Sequence, residues 1–159
     1  MQPKLDGKDL QILRLLQENC KITLKQLAKE VRSPVTTVYA KIKRMEKLGV
    51  IKAYKTVLDS KKLGKGATAF IFVSFSYRTP EREKPLSQRE LAQQISHFLE
   101  VQEVHIITGD WDLIVKVKAQ DVGAVGKFVI DKLRLVEGVE KTLTCMVFET
   151  EKESTSISL

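Results

Sequence analysis

Between Thr23 and Ile51 the chain reads TLKQLAKEVRSPVTTVYAKIKRMEKLGVI, a pattern that leaves room for little except two short helices joined by a tight turn. Thr23 and Gln26 stand three residues apart, the spacing at which a hydroxyl and an amide satisfy each other's free backbone N–H groups, so a helix is predicted from Leu24 to about Val31. Leu27, Ala28 and Val31 share one face of it. Arg32 and Ser33 make the turn. Ser33 is then the expected N-cap of the next helix, and Pro34 fits its first position, where the missing N–H costs nothing. Val35, Val38, Ile42 and Met45 recur at spacings of three or four and are expected to face partner helices, and Gly49 ends the run. Upstream, LDGKDLQILRLLQEN places Asp6 as N-cap, with Leu5, Asp9 and the apolar set Leu10, Ile12, Leu13 and Leu16 at helical spacing. Three such helices share one core, the minimal plan of a helix-turn-helix domain.

The apolar stripe fixes which face of the third helix looks outward. It carries Thr36, Ala40, Lys43, Arg44 and Lys47, flanked by Thr37, Tyr39 and Lys41, with Ser33 in the turn. Short and hydroxylic side chains come first and cations later. That order suits a helix laid N-terminus first in the major groove of double-stranded DNA, with small groups at base edges and Lys or Arg at phosphates. A solvated basic helix face is the plainer reading of this helix alone. Charge distribution favours the polyanion: residues 1–64 hold 15 Lys and Arg against 6 Asp and Glu, whereas residues 65–159 hold 12 against 14. An acidic membrane also attracts cations, but no helix has the bulky exposed apolar face that interfacial binding needs. The absence of a long apolar run and of a signal-peptide pattern predicts a cytoplasmic protein. Cys20 and Cys145 are too isolated for a zinc knuckle or a CxxC pair, so neither metal nor cofactor is expected.

The expected division is a DNA-binding domain over residues 1–50, a linking strand and hinge over 51–66, and a second domain over 67–159. Val50 to Leu58 tends toward extended structure and is read as a short strand or wing. DSKKLGKG follows as a hinge, and GKGAT at its end lacks the spacing of a phosphate loop. Thr68 to Tyr77 is a dense β-branched and aromatic strand, expected to be central in a sheet. Arg78 to Leu86 is a charged loop. Ser87 with Glu90 predicts a capping box before a helix through Leu91, Ile95, Phe98 and Leu99. Glu103 to Thr108 and Trp111 to Lys118 are strands joined by a turn at Gly109 and Asp110. Asp121 caps a helix through Val125, Phe128, Val129 and Leu133, and Val139 to Glu149 supplies the last strand. The fold class is therefore α+β: a plain or winged helix-turn-helix domain followed by a βαββαβ, ferredoxin-like αβ-sandwich with both helices on one face. The other sheet face has no cover in the chain, which predicts a symmetric dimer.

LDxxDxxIL at Leu5 to Leu13, Leu27 with Ala28, SPxxxVxxKIKRMEKLGVI ending at Ile51, TGDWD at Thr108 to Asp112 and GVEKTLT at Gly138 to Thr144 together resemble the Lrp/AsnC (feast/famine) transcription regulators. The resemblance runs in order over nearly the whole chain. It implies a C-terminal domain that both dimerises and binds a small effector, usually an amino acid. It also implies an effector site between dimers, near Thr108, Gly109, Asp110, Trp111 and Asp112 and the strand carrying Thr142 and Thr144. A Gly-Asp turn offers backbone N–H groups and a carboxylate in a small space, which suits a zwitterion. A plain hairpin turn with Trp111 as a packing residue is the blander reading. Two departures stand out. The loop from Arg78 to Gln88 is longer and more charged than the family pattern, and Lys41 stands where relatives often carry Arg. Lysine neutralises a phosphate without the two-pronged guanine contact.

The leading functional expectation is a sequence-preferring transcription regulator that self-associates as a dimer, tetramer or octamer and responds to an effector. An architectural DNA-coating protein with little sequence preference is the alternative. An enzyme is not expected: His97, His105, Asp110 and Asp112 form neither a nucleophile–base set nor a metal-binding spacing.

Overall fold

The structure is a computed structural model that describes residues 3–77 and 87–159. The charged loop beginning at Arg78 falls in residues 78–86, outside the described residues. The chain groups into two compact units, Met1–Val57 with Lys152–Leu159, and Leu58–Glu151.

The first unit contains α1 (Gly7–Glu18), α2 (Leu24–Glu30) and α3 (Val35–Lys47). Both early helices open on capping boxes, Asp6 with Asp9 and Thr23 with Gln26, each worth about 1 kcal/mol of helix stability. Ile12, Leu13, Leu27, Ala28, Val31, Val38, Ile42 and Met45 interlock as the core. Val35, expected inward, is 41% exposed, because it opens the first turn of α3 above the edge of that core. The helix starts one residue later than Ser33 implies: Pro34 is the N-cap, without a side-chain bond. Gly49, at φ +70°, ends α3 in the left-handed turn that glycine adopts without a Cβ penalty. The segment after it is not a strand, and residues 52–58 are exposed. An extended segment needs a neighbouring strand to take up its backbone hydrogen bonds, and among the described residues none pairs with it. The last eight residues return to this unit. Gln17 exchanges two hydrogen bonds with the Ile157 backbone (3.1 and 2.8 Å), and Arg14 Nε donates to Leu159 O at 3.0 Å.

The second unit follows the predicted βαββαβ order: β1 (Ala67–Phe75), α4 (Gln88–Ser96), β2 (Val101–Ile106), β3 (Leu113–Ala119), α5 (Val122–Asp131) with a 3-10 turn at Leu133–Leu135, and β4 (Val139–Met146). The antiparallel sheet runs β2-β3-β1-β4, so β1 is central as its apolar sequence requires. Ala69, Ile71, Val73 and Phe75 alternate onto the helix-covered face with Leu113, Val115, Val117 and Ala119. They pack there against Leu91, Ile95, Val125, Phe128, Val129 and Leu133. Period two puts Phe70, Phe72, Ile114, Leu143 and Cys145 on the other face, aligned by the pairs Phe72↔Ile114, Phe72↔Leu143 and Phe70↔Cys145. Leu99 lies beyond the end of α4 and is 95% exposed rather than packed with that helix. Ser87 caps α4 by accepting from Arg89 N at 3.3 Å, in place of the expected box with Glu90.

Candidate DNA interface and effector site

The turn between α2 and α3 is held from outside. Arg32 takes φ +49°, rare for a residue with a side chain. Lys8 Nζ clamps it by donating to Arg32 O (3.2 Å) and to Ser33 Oγ (2.6 Å). Ser33 Oγ in turn donates to Val31 O at 3.3 Å. The hydroxyl predicted to cap α3 thus fixes the angle at which α3 leaves the turn.

With Val38, Ile42 and Met45 buried, the outward face of α3 carries Thr36, Thr37, Tyr39, Ala40, Lys43, Arg44 and Lys47, all exposed. Lys41 is different, with its side chain only 17% exposed. It bonds Asp6 Oδ2 at 2.5 Å and Asp9 Oδ1 at 3.0 Å. Arg44 Nη2 reaches Asp9 Oδ2 at 2.5 Å. Two of the cations read as phosphate contacts are therefore tied to carboxylates at the start of α1. The Lys41 hydrogen bond, reinforced by the Asp9 backbone N–H, holds the Asp6 carboxyl down at about 2. Asp6 in turn raises Lys41 above the usual lysine range.

A second pairing joins two residues of α3 itself. Lys43 Nζ bonds Glu46 Oε2 at 2.7 Å, and Tyr54 Oη donates to Glu46 Oε1 at 3.0 Å. Lys43 and then Tyr54 lower the Glu46 carboxyl, whereas burial, followed by the Glu46 bond, pushes the Tyr54 phenol up to about 12. The segment after Gly49 is thereby fastened to α3 although it forms no strand.

In the second unit the β2–β3 connection spans residues 107–112. Ile107 N donates to Asp112 O at 2.9 Å, and Gly109 takes φ +114°. Thr108, Gly109 and Asp110 are exposed, and Trp111 packs on Phe72 with ring centroids 6.2 Å apart. Asp112 has a structural task. Its N–H donates to Val73 O (3.0 Å), and its Oδ2 accepts from Phe75 N (2.8 Å). Its Oδ1 accepts from Gln88 Nε2 at 2.6 Å. Strand pairing between β1 and β3 ends at Val73↔Leu113, so the Asp112 side chain prolongs the ladder where backbone no longer can. Thr142 lies opposite Val73 on β4, two strands from the hairpin, roughly 10 Å away at ordinary strand spacing. Its hydroxyl accepts from Arg134 Nε at 3.1 Å, and Thr144 is exposed. One protomer thus gathers the five hairpin residues but leaves the two threonines on the far edge strand.

Sequence reasoning did not find the roles of Asp9, Lys8 and Gln88. Asp9 had a signal, since it stands three residues after the Asp6 cap, where a carboxylate turns back to the cap N–H (2.9 Å). Nothing local marks Lys8 or Gln88, whose partners lie 24 or more residues away. His97 and His105 sit apart, beside Gln93 O (2.7 Å) and Glu103 Oε2 (3.3 Å) respectively. Among the described residues no group of His, Cys, Asp or Glu is placed to hold a metal ion, and no helix is long and apolar enough to cross a membrane.

Comparison with known proteins agrees with this architecture. Residues 5–52 match the winged helix-turn-helix DNA-binding family, and residues 68–157 match the Lrp/AsnC ligand binding domain. An uncharacterized HTH-type transcriptional regulator of Pyrococcus abyssi is 40% identical over 94% of this chain and 96% of its own length. The transcriptional regulator AzlB of Bacillus subtilis is 31% identical over 98% and 96%. Among solved structures, a transcriptional regulator from Neisseria meningitidis in complex with L-Met superposes with a TM-score of 0.88 at 26% identity, covering 98% of this chain and 97% of that one. With a DNA-binding helix-turn-helix unit and an αβ-sandwich ligand-binding unit in one chain, the protein belongs to the Lrp/AsnC family of transcriptional regulators.

Proposed function

We propose that the protein is a cytoplasmic, non-enzymatic regulator that presents α3 to the major groove and adjusts its DNA binding to an amino acid. The observation that carries this reading is the exposed strip Thr36, Thr37, Tyr39, Ala40, Lys43 and Lys47 on a helix anchored by Val38, Ile42 and Met45. Ser33, Lys41 and Arg44 set and brace that helix through the side chains of Lys8, Asp6 and Asp9. Short groups precede cations along the strip, so base edges lie nearer its start and phosphates nearer its end.

The effector site centres on Thr108, Gly109, Asp110, Trp111 and Asp112. Backbone N–H groups receive the carboxylate there and Asp110 receives the ammonium. Thr142 and Thr144 join from a neighbouring protomer, because two strands separate them from the hairpin of their own chain. An amino acid is the ligand class because the Neisseria meningitidis relative was solved with L-Met. A second copy covers Phe70, Phe72, Ile114 and Leu143, which share a sheet face that no helix among the described residues covers. Dimers then associate into tetramers or octamers.

Light scattering with and without each of the twenty amino acids tests the reading. A mass that changes with one or a few of them is the expected result. A mass unaffected by all of them contradicts the sensor role and moves weight to an architectural DNA-coating protein.

A further inference from the structure

Asp9 is the one charged side chain among the described residues that is wholly shielded from water. A carboxylate in that position persists only when its oxygens are occupied, since an unpaired buried charge is strongly unfavourable. Asp9 meets the requirement with the Asp6 backbone N–H at 2.9 Å, Lys41 Nζ at 3.0 Å and Arg44 Nη2 at 2.5 Å. Asp6 Oδ2 completes the group at 2.5 Å from Lys41. Two carboxylates at the start of α1 cancel two cations on α3, the helix that otherwise supplies the reading face. The group is open to solvent at Asp6, whose side chain is 59% exposed, and at Arg44. The Lys41 side chain is 17% exposed, but that of Arg44 is 48% exposed, and a guanidinium has five donors.

We infer that Asp9 is a specificity-determining residue for DNA binding: a built-in surrogate for a backbone phosphate that occupies Arg44 and withholds its charge from duplex of any sequence. The inference rests on the reading that the exposed α3 face meets DNA. Non-specific affinity comes from cations that displace counterions, each contributing about 0.9 to the slope of log affinity against log salt. A cation already neutralised by a buried carboxylate adds little to that slope. Removing Arg44 and Lys41 from the general electrostatic attraction leaves more of the binding energy to contacts that read bases, such as those of Thr36, Thr37 and Ala40. Asp9 also acts at a distance from the groove, because its place is fixed by the capping box of α1 and not by α3 itself.

The test is fluorescence anisotropy of full-length protein on a random-sequence duplex over a range of salt. Four proteins are compared: wild type, Asp9→Asn, Arg44→Gln and the double variant. Asparagine keeps the shape and the acceptor for the Asp6 N–H but not the charge, so Arg44 is released. Asp9→Asn is expected to steepen the slope by about 0.9, which enlarges the loss of affinity between 50 and 200 mM salt by roughly threefold. Arg44→Gln is expected to leave the wild-type slope unchanged, and the double variant to return to it. A role in folding alone lowers binding without steepening the slope. Should Asp9→Asn fail to fold by circular dichroism, Arg44→Gln decides: an unchanged slope supports the surrogate, and a slope shallower by about 0.9 overturns it. A slope unchanged or reduced in folded Asp9→Asn overturns it as well. If the wild type binds no duplex at any salt, the DNA-facing assignment of α3 falls with it, a result distinct from binding with the wrong slope.

Discussion

The Asp112 carboxylate accepts the Phe75 backbone N–H at 2.8 Å across 37 residues of sequence. It also takes Gln88 Nε2 at 2.6 Å, so the start of α4, the end of β1 and the hairpin meet at one side chain. Asp110, two residues away, is exposed. Aspartates that look interchangeable in TGDWD therefore have separate duties. Asp112→Ala is expected to destabilise the αβ-sandwich by about 3–6 kcal/mol, the cost of two hydrogen bonds to a charged acceptor. Asp110→Ala is expected to stay within about 0.5 kcal/mol of wild type and to weaken amino-acid binding. Urea unfolding followed by Trp111 fluorescence, with calorimetric titration of the ligand, separates the two. Equal effects of both substitutions on stability contradict the division.

The acid limb of stability belongs partly to Asp6. Its carboxyl is held at about 2 by Lys41 and the Asp9 N–H, against an ordinary 3.8. The fold favours the ionised form, so this contribution is complete above the unfolded value and is lost as pH falls through about 2. Asn caps a helix as well as Asp does. Asp6→Asn is thus expected to reduce the difference in hydrogen-exchange protection of α1 and α3 between pH 5 and pH 2.5. A difference as large as that of wild type means the Lys41 pairing contributes nothing.

Leu143 is 46% exposed and lies on β4 opposite Phe72. If a second copy covers this face, Leu143→Asp buries an unpaired charge, and the association constant falls at least a hundredfold, equivalent to about 3 kcal/mol. Light scattering at micromolar protein then reports half the wild-type dimer mass while circular dichroism is retained. A variant with wild-type mass shows that the face is not the interface.

On the DNA side the strip on α3 predicts two kinds of variant. Lys47→Ala is expected to weaken all duplexes alike and flatten the salt slope by about 0.9. Thr36→Ala is expected to cost about 1 kcal/mol on a preferred sequence and little on random DNA. Anisotropy on both duplexes distinguishes them, and the reverse assignment of the two residues contradicts the expected orientation of α3.

Much of this was legible in the sequence where the signal is local. Capping signals, the three- and four-residue apolar spacing and the period-two strands set the α-helices and strands found among the described residues to within a few residues, although they also suggest a strand at Val50 to Leu58 that does not form. The motifs along the chain also identified the family. What escaped depends on contacts across long stretches of chain. Lys41 and Arg44 look like free cations in a helical pattern, and only the packing of α1 against α3 reveals Asp6 and Asp9 beside them. The EKESTSISL terminus carries little pattern of its own, and its attachment to Gln17 and Arg14 depends on partners about 140 residues away. Val50 to Leu58 reads as extended, but a strand also requires a neighbour.

One chain that couples a small ligand to DNA must bind the duplex differently when the ligand is present. The most direct test is the affinity of full-length protein for its preferred duplex, measured by anisotropy with and without each of the twenty amino acids. One or a few amino acids, L-methionine first among those to try, are expected to shift the dissociation constant by at least fivefold, with the duplex shifting the amino-acid affinity by the same factor. Tight DNA binding that no amino acid alters contradicts the coupling.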